Sequence, residues 1–411
     1  ATLGAPQDVE WADDGARLWL LQARPITASG AEEMSDHLPG DDHLWTAAFL
    51  NERLPQPVSP LGWSMLEGHL GRLALGAPLA MLGVDDVEGP LLKLWQGHPY
   101  SRVALWQRLY KLFPDALLPE DAARYFPDGD VALRSAPRQP TFGLRLVWSA
   151  LRTLAREFHA ASPLHNPRAW RRYEQKQQGA LIRLAFRERE MARASDPLEA
   201  AREILRESEA LTAELLLLHR WSLLYADVLY SLARRWLALR HGREEGARRA
   251  AALTATIETP TVRLNRALAE LAGHVALKEG RGWLAAIAEG REGEGPEGVE
   301  EAVERFLSKY GHRAFSLDLY DAPWEADRAS FAAFLLAVPT APPPEPSAPP
   351  AIGLPGALSA LLGDYLYLRE AQRYTWQQLL ALQRRVALRM GAVWAERGAL
   401  PSAKALFGMT W

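Results

Sequence analysis

Four polar residues near the start of the chain, Asp8, Glu10, Gln22 and Arg24, are the side chains whose types and spacing point most directly to chemistry. They lie in PQDVEWADDGARLWLLQARP, residues 6–25, where two apolar-rich runs flank an Asp13-Asp14-Gly15 turn. That is the pattern of a β-hairpin with a short loop. With Asp13-Asp14-Gly15 as the loop and Gly15 left-handed, Asp8 faces Leu20 and Glu10 faces Leu18. Side chains alternate along a strand, so Asp8, Glu10, Gln22 and Arg24 share one side while Val9, Trp11, Trp19, Leu21 and Ala23 share the other. Two carboxylates, an amide and a guanidinium around Leu18 and Leu20 suit a nucleotide with magnesium. The acids offer hard oxygen ligands, the Arg a phosphate partner, and the leucines a floor for the base. A two-residue loop would divide the set between the faces. An ordinary exposed hairpin with a merely solvated polar face accounts for the same residues.

A second group is Tyr310-Gly311-His312-Arg313 followed by Asp318-Leu319-Tyr320-Asp321-Ala322-Pro323-Trp324-Glu325. It gathers a titratable ring, a fixed cation and several acids on a helix end and the loop after it. Gly311 fits a helix C-cap, and His312 and Arg313 are placed to pair with the helix carbonyls or with Asp318 and Asp321. A structural ion-pair knot and a catalytic cluster both fit that composition.

The elements that must position these groups are helices. Residues 28–42, acidic and rich in small side chains, read as a linker. A short helix, a Pro-rich crossing and a new helix follow, the last with Ser59 as N-cap and Pro60 at its first position. Amphipathic periodicity marks 60–75, 101–113, 119–126, 141–160 and 168–194, with short strands near 88–100. The clearest helix is 197–241, whose seam runs Ile204, Ser208, Leu211, Leu215, Leu218, Ser222, Tyr225, Leu229, Leu232, Trp236, Leu239. The Glu and Arg runs at 184–207 read as solvated faces with i,i+4 pairs. Shorter helices fill 246–310, broken at Glu258-Thr259-Pro260 and in the Gly-rich run 289–298. The Pro-dense run 338–356 reads as an extended connector, 356–398 as one long helix, and 399–411 as the opening of a linker.

Composition narrows the function classes. A chain of 411 residues with 48% hydrophobic content can bury a large core. A net charge of -3 gives no electrostatic case for nucleic acid or an anionic membrane as partner. Cysteine is absent, which excludes disulfides and thiolate chemistry and is compatible with a reducing cytoplasm. The most apolar region, 211–239, carries Glu214, His219, Arg220, Asp227, Arg234 and Arg235, too many charges to span a bilayer. The 15 Trp either fill cores or line a roomy apolar pocket.

The string PQDVEW followed by LLQARPIT resembles the closing hairpin of the ATP-grasp domain in the phosphoenolpyruvate synthase and pyruvate phosphate dikinase superfamily. YGHR with its acidic loop and Pro-Trp-acid ending is similar to a segment in the helical middle domain of rifampicin phosphotransferase-like proteins. NERLPQPVSPL at 51–61, together with 261–272 and 384–407, looks related to the same domain. The resemblance implies a mainly α fold: a large multi-helix, substrate-binding-type domain, 43–400, preceded by a β-hairpin remnant, 1–27, of an ATP-grasp (α/β) domain. Residues 401–411 would begin a linker to a phosphohistidine domain. It implies ATP and Mg2+ as cofactors of the intact protein, with Glu10 and Gln22 near the metal and phosphates, Arg24 on a phosphate and Asp8 in support. It implies a bacterial, dikinase-type phosphotransferase whose helical domain binds a small-molecule acceptor, an antibiotic-like or other small hydroxyl compound.

Two features depart from that pattern. The family usually continues YGHR with a small residue or two and then Glu, whereas Ala314-Phe315-Ser316-Leu317-Asp318 follows here. None of the ten His lies in a Gly/Ser-rich phosphocarrier context, and no Gly-rich ATP loop with its Lys and Arg is present. The other ATP-grasp and phosphohistidine parts would therefore act as partners, and the isolated chain is expected to be inactive. An ATP-dependent ligase with the same domain order, and a non-catalytic helical binding module, are the alternatives.

Overall fold

The computed structural model describes residues 7–13, 18–25, 38, 41–51, 53–77, 79, 89–111, 144–255, 257–291, 293–340 and 354–411, the two amino-terminal strands by their backbone. Strands β1 (Gln7–Asp13) and β2 (Leu18–Pro25) pair antiparallel. A second sheet takes the order β3-β5-β4, from β3 (Trp45–Thr46), β4 (Leu92–Trp95) and β5 (His98–Arg102). Everything else described is helical or connecting: the fold is mainly α, as the periodicity indicates.

The helices start where local chemistry supplies a cap. Helix α1 is Ala48–Asn51, and α2 (Pro60–Gly68) begins after Ser59, whose Oγ accepts from the Gly62 amide at 3.1 Å. Next come α3 (Val103–Lys111), α4 (Leu144–Arg156), α5 (Phe158–Ala161) and α6 (Asn166–Glu190). The long α7 (Pro197–His241) opens on Asp196, which accepts from Leu198 and Glu199 amides at 3.0 and 3.2 Å. It ends at Gly242, whose φ of 84° a side chain would resist. Helices α8 (Arg243–Ala255), α9 (Pro260–Leu277), α10 (Arg281–Ala288), α11 (Val299–Tyr310) and α12 (Arg328–Ala337) follow, then α13 (Gly356–Glu396). The expected helix at 119–126, and all but the ends of the Pro-rich run, lie outside the described residues.

Two main cores result. The larger packs α2, α6, α7 and α13 around Trp63, Trp170, Tyr173, Ile204, Leu215 and Leu379. Helices α7 and α13 run antiparallel, since Ser208 meets Gln383 and Ser222 meets Gln372. The second core closes α9, α11 and α12 around Phe306, Tyr310 and Phe331. Of the tryptophans, Trp45, Trp63, Trp106, Trp170 and Trp376 are buried core residues, while Trp148 is 69% exposed.

Three local differences from expectation have clear causes. The seam of α7 is buried from Ile204 to Ser222, but Leu232, Trp236 and Leu239 face outward, and Ala226, Ala233 and Leu237 are buried instead. The face changes where α8 folds back on α7: a Cβ on Gly246 would sit 2.5 Å from the Ala238 amide nitrogen, so small residues set that approach. At 184–207 the acids pair mostly across helices, Arg183 with Glu207 and Arg187 with Glu203, and Glu188 is buried between Arg385 and Arg389. Residues 403–408 form a 3-10 turn that buries Leu406 and Phe407 against the main core, so this stretch packs back where an open linker was expected.

Helix α2 continues into a π-helical stretch, His69–Gly76. The looser winding leaves the Leu73 carbonyl to accept from Arg220, which also pairs with Glu157. The Trp221 indole N–H donates to the same Glu157 at 3.0 Å, completing a half-buried knot.

Candidate functional site

The hairpin brings its four polar positions together, in a register other than the expected one. Asp8 is opposite Arg24 and Glu10 is opposite Gln22, where Leu20 and Leu18 had been expected. The pairing shifts between Glu10 and Trp11, so that Trp11 meets Leu20 and Asp13 meets Leu18. A bulge at that step absorbs one extra residue of β2. Directly opposed residues share a face, so the acids, the amide and the guanidinium occupy two neighbouring rungs of one face. The last described pair is Asp13 with Leu18, and the set survives because the facing pairs keep even spacing on both strands.

The YGHR segment takes part in a long-range latch. The Asp318 carboxylate accepts from the Ser59 amide at 2.8 Å and from the Ser59 hydroxyl at 2.7 Å. The Ser59 hydroxyl in turn caps α2. Gly62 is required here, because a Cβ would lie 1.9 Å from Asp318 Oδ1. The Leu317 amide donates to the Arg53 carbonyl at 3.0 Å, so three bonds, made by two neighbouring residues of the loop, tie it to the segment opening α2. Burial raises the Asp318 carboxyl above its ordinary range, and the two bonds from Ser59 oppose that shift.

This corrects the ion-pair expectation, since Asp318 is taken by Ser59 and not by His312 or Arg313. His312 instead stands edge-on to the Tyr374 ring, with centroids 4.6 Å apart, and burial pushes its imidazole down to about 3. Arg313 is also largely buried; that burial, with Arg373 nearby, lowers its guanidinium to about 10. Gly311 keeps right-handed dihedrals, and its need is for space: a Cβ would meet the Leu307 carbonyl oxygen at 2.4 Å and Glu325 Cβ at 2.8 Å. The cavity bordered by His312, Asp318, Gln377 and Arg384 is about 10 Å³, room for one water and no substrate. The geometry is that of a structural knot.

A larger opening lies elsewhere. Leu61 of α2, Met390 and Trp394 of α13, and Leu406 of the 3-10 turn floor a groove of about 480 Å³. That is within the size range of small-molecule sites. Arg202, Arg206 and Glu209 of α7 contribute polar groups. Sequence reasoning placed Arg202 and Arg206 on a solvated face, and no local pattern pairs them with α13 or the 3-10 turn.

A buried polar chain also escaped the sequence reading. His219 Nδ1 lies 2.8 Å from Gln372 Oε1, the Gln372 amide donates to Ser222 Oγ at 2.9 Å, and Ser222 donates to Asn166 Oδ1 at 2.9 Å. Burial drives His219 down to about 4, so it is neutral near pH 7. The available signal was the pair of serines, Ser208 and Ser222, within an otherwise apolar seam.

The class these features define is a mainly α domain with a groove of small-molecule size, preceded by a β-hairpin, and among the described residues no helix is long and apolar enough to cross a membrane. Residues 219–353 match the family model of the rifampicin phosphotransferase fourth domain. The matched residues, which include YGHR and the latch residue Asp318, are similar to that domain, in line with the resemblance of the motifs. No curated protein matches the chain.

Proposed function

We propose that this chain is the acceptor-binding helical part of an ATP-dependent phosphotransferase of the dikinase type. The match of residues 219–353 to the rifampicin phosphotransferase fourth domain carries this reading. The small-molecule-sized groove supports it. In this reading ATP, water and an acceptor hydroxyl give AMP, inorganic phosphate and a phosphorylated acceptor. The β-phosphate passes through a histidine of a separate swivelling domain, and the helical domain holds the acceptor away from bulk water so that the hydroxyl is the nucleophile.

Asp8, Glu10, Gln22 and Arg24 form one wall of the nucleotide site. Bound Mg2+ would neutralise phosphate charge. Glu10 and Gln22 supply oxygen donors toward the metal and phosphates, Arg24 pairs with a phosphate, and Asp8, opposite Arg24 in the strand pairing, supports the site. Hard oxygen donors beside a guanidinium are the donor set that magnesium and polyphosphate require.

The test uses the chain together with its ATP-grasp and phosphohistidine partner domains, and ATP labelled at either the β or the γ position. Label reaching the acceptor from the β position only, with AMP as co-product, is the expected result. Transfer from the γ position with ADP, or AMP formation without a phosphorylated acceptor, overturns it; the latter outcome indicates ligation. The 411-residue chain alone is expected to form no AMP.

A further inference from the structure

The small cavity behind the YGHR segment gathers three buried polar atoms that no protein group satisfies. His312 Nε2, Gln377 Oε1 and Arg384 Nε are each buried and have no hydrogen-bond partner among the described residues. All three residues line the same cavity of about 10 Å³, between the loop after α11 and α13. Gln377 is 2% exposed and Arg384 8%, depths at which polar atoms rarely go unpaired. Other polar groups on the wall are committed elsewhere. The Gln377 amide nitrogen donates to the Ala314 carbonyl at 3.1 Å, which leaves its oxygen as a free acceptor. The Asp318 carboxylate accepts from Ser59, and Ser316 Oγ accepts from the Asp318 amide at 2.9 Å. Asp321 also borders the cavity and favours the charge on Arg384. The side chains of Ala314, Leu319, Pro323, Leu380 and Ala381 complete the wall and offer no polar group.

The three atoms have complementary needs. Arg384 Nε–H is only a donor, and Gln377 Oε1 is only an acceptor. Burial, with Arg313 beside it, keeps the His312 imidazole neutral near pH 7, so one of its ring nitrogens is an acceptor. A water molecule carries two donors and two lone pairs, and a buried one typically makes about three hydrogen bonds. The volume admits one water and nothing larger. We propose that one buried water is a fixed part of this fold, accepting from Arg384 Nε–H and donating to Gln377 Oε1 and His312 Nε2. This arrangement sets the His312 tautomer, with the proton on Nδ1. It also gives the histidine of YGHR a defined task, to seat the loop after α11 on α13 through water. The assignment is independent of the phosphotransferase reading, since neither nucleotide nor acceptor enters it.

Nitrogen-15 spectra and a crystal structure of the 411-residue chain test this directly. The expected result is a bare Nε2 and a protonated Nδ1 on His312, with one water within about 3.2 Å of all three atoms. A proton on Nε2, a dry cavity, or an Arg384 guanidinium bonded directly to Asp321 overturns the proposal. A double-mutant cycle in urea unfolding measures the link the water makes. His312→Phe keeps a ring beside Tyr374 and removes the nitrogen, while Gln377→Met keeps the length and removes the amide oxygen. Each is expected to lower the folding equilibrium constant about tenfold or more, and the double variant little further than the larger single effect, because either change alone releases the water. The bond from Gln377 to the Ala314 carbonyl is lost on both sides of the cycle and cancels. Additive effects, a combined loss of roughly a hundredfold or more, overturn the proposal. The spectra and the crystal structure use the unaltered chain, so they decide the matter even where a variant fails to fold.

Discussion

In the larger core, α7 and α13 meet through buried hydroxyls and amides, Ser222 with Gln372 and Ser208 with Gln383, whereas the core around α9, α11 and α12 is closed by rings. There Phe331 lies 5.5 Å from Phe306 and 5.4 Å from Trp324, centroid to centroid. The difference follows from shape. Two helices of 45 and 41 residues present long, self-similar apolar faces that could slide by a turn. A polar rung satisfied in one register only makes the slipped arrangements costly. Short helices packed on large rings have no such degeneracy, because the rings interlock in one way. The family match, 219–353, spans the ring-closed core and the carboxy-terminal half of α7. The Asp318–Ser59 latch joins the two cores, since Asp318 follows α11 and Ser59 starts α2.

The comparison can be broken in order of expected effect. Phe331→Ala, at a side chain 1% exposed, should cost about 3–5 kcal/mol in urea unfolding. A loss below about 1 kcal/mol would mean that rings do not hold the second core. Asp318→Ala strands the buried Ser59 amide and hydroxyl and should cost about 2–4 kcal/mol. If the latch couples the cores, circular dichroism and tryptophan fluorescence transitions should separate in this variant; coincident transitions would argue against coupling.

A smaller effect tests the polar rung through pH. His219 titrates at about 4 when folded against an ordinary 6.5, so between those values the folded state binds fewer protons than the unfolded one. Its contribution is complete above pH 6.5 and is lost as pH falls toward 4. From pH 7 to pH 5 that loss should be about 2 kcal/mol. His219→Gln should remove the same increment from the pH dependence, and an unchanged dependence would show that the imidazole is not held neutral. The smallest effect is the control: Arg183→Ala breaks an exposed pair with Glu207 and should change stability by less than about 0.5 kcal/mol.

Much of the fold was legible because its signals are local. Ser59-Pro60, Asp196-Pro197 and Thr259-Pro260 each start a helix, and the long periodic run in between is one helix. The clustering of Asp8, Glu10, Gln22 and Arg24 was legible too, although the pairing that produces it was not. A bulge changes the register without leaving a mark in residue types. The groove was illegible for a different reason: its floor comes from α2, α13 and the 3-10 turn, and its cations from α7.

What the amino-acid order determined by itself was therefore where elements begin and end, since a cap, a proline or a glycine acts on backbone groups within a turn of itself. Gly242 and Gly398, with φ of 84° and 73°, end their helices whatever packs nearby. Only the tertiary structure decided which partner each exposed-looking polar group takes. Asp318 binds Ser59, 259 residues away, while Arg313 beside it in sequence does not engage it. Likewise α7 buries Ala233 and Leu237 and leaves Trp236 and Leu239 outward, because α8 and α13 arrive on that side. Such choices compare free energies between groups far apart in sequence, and no local pattern contains that comparison.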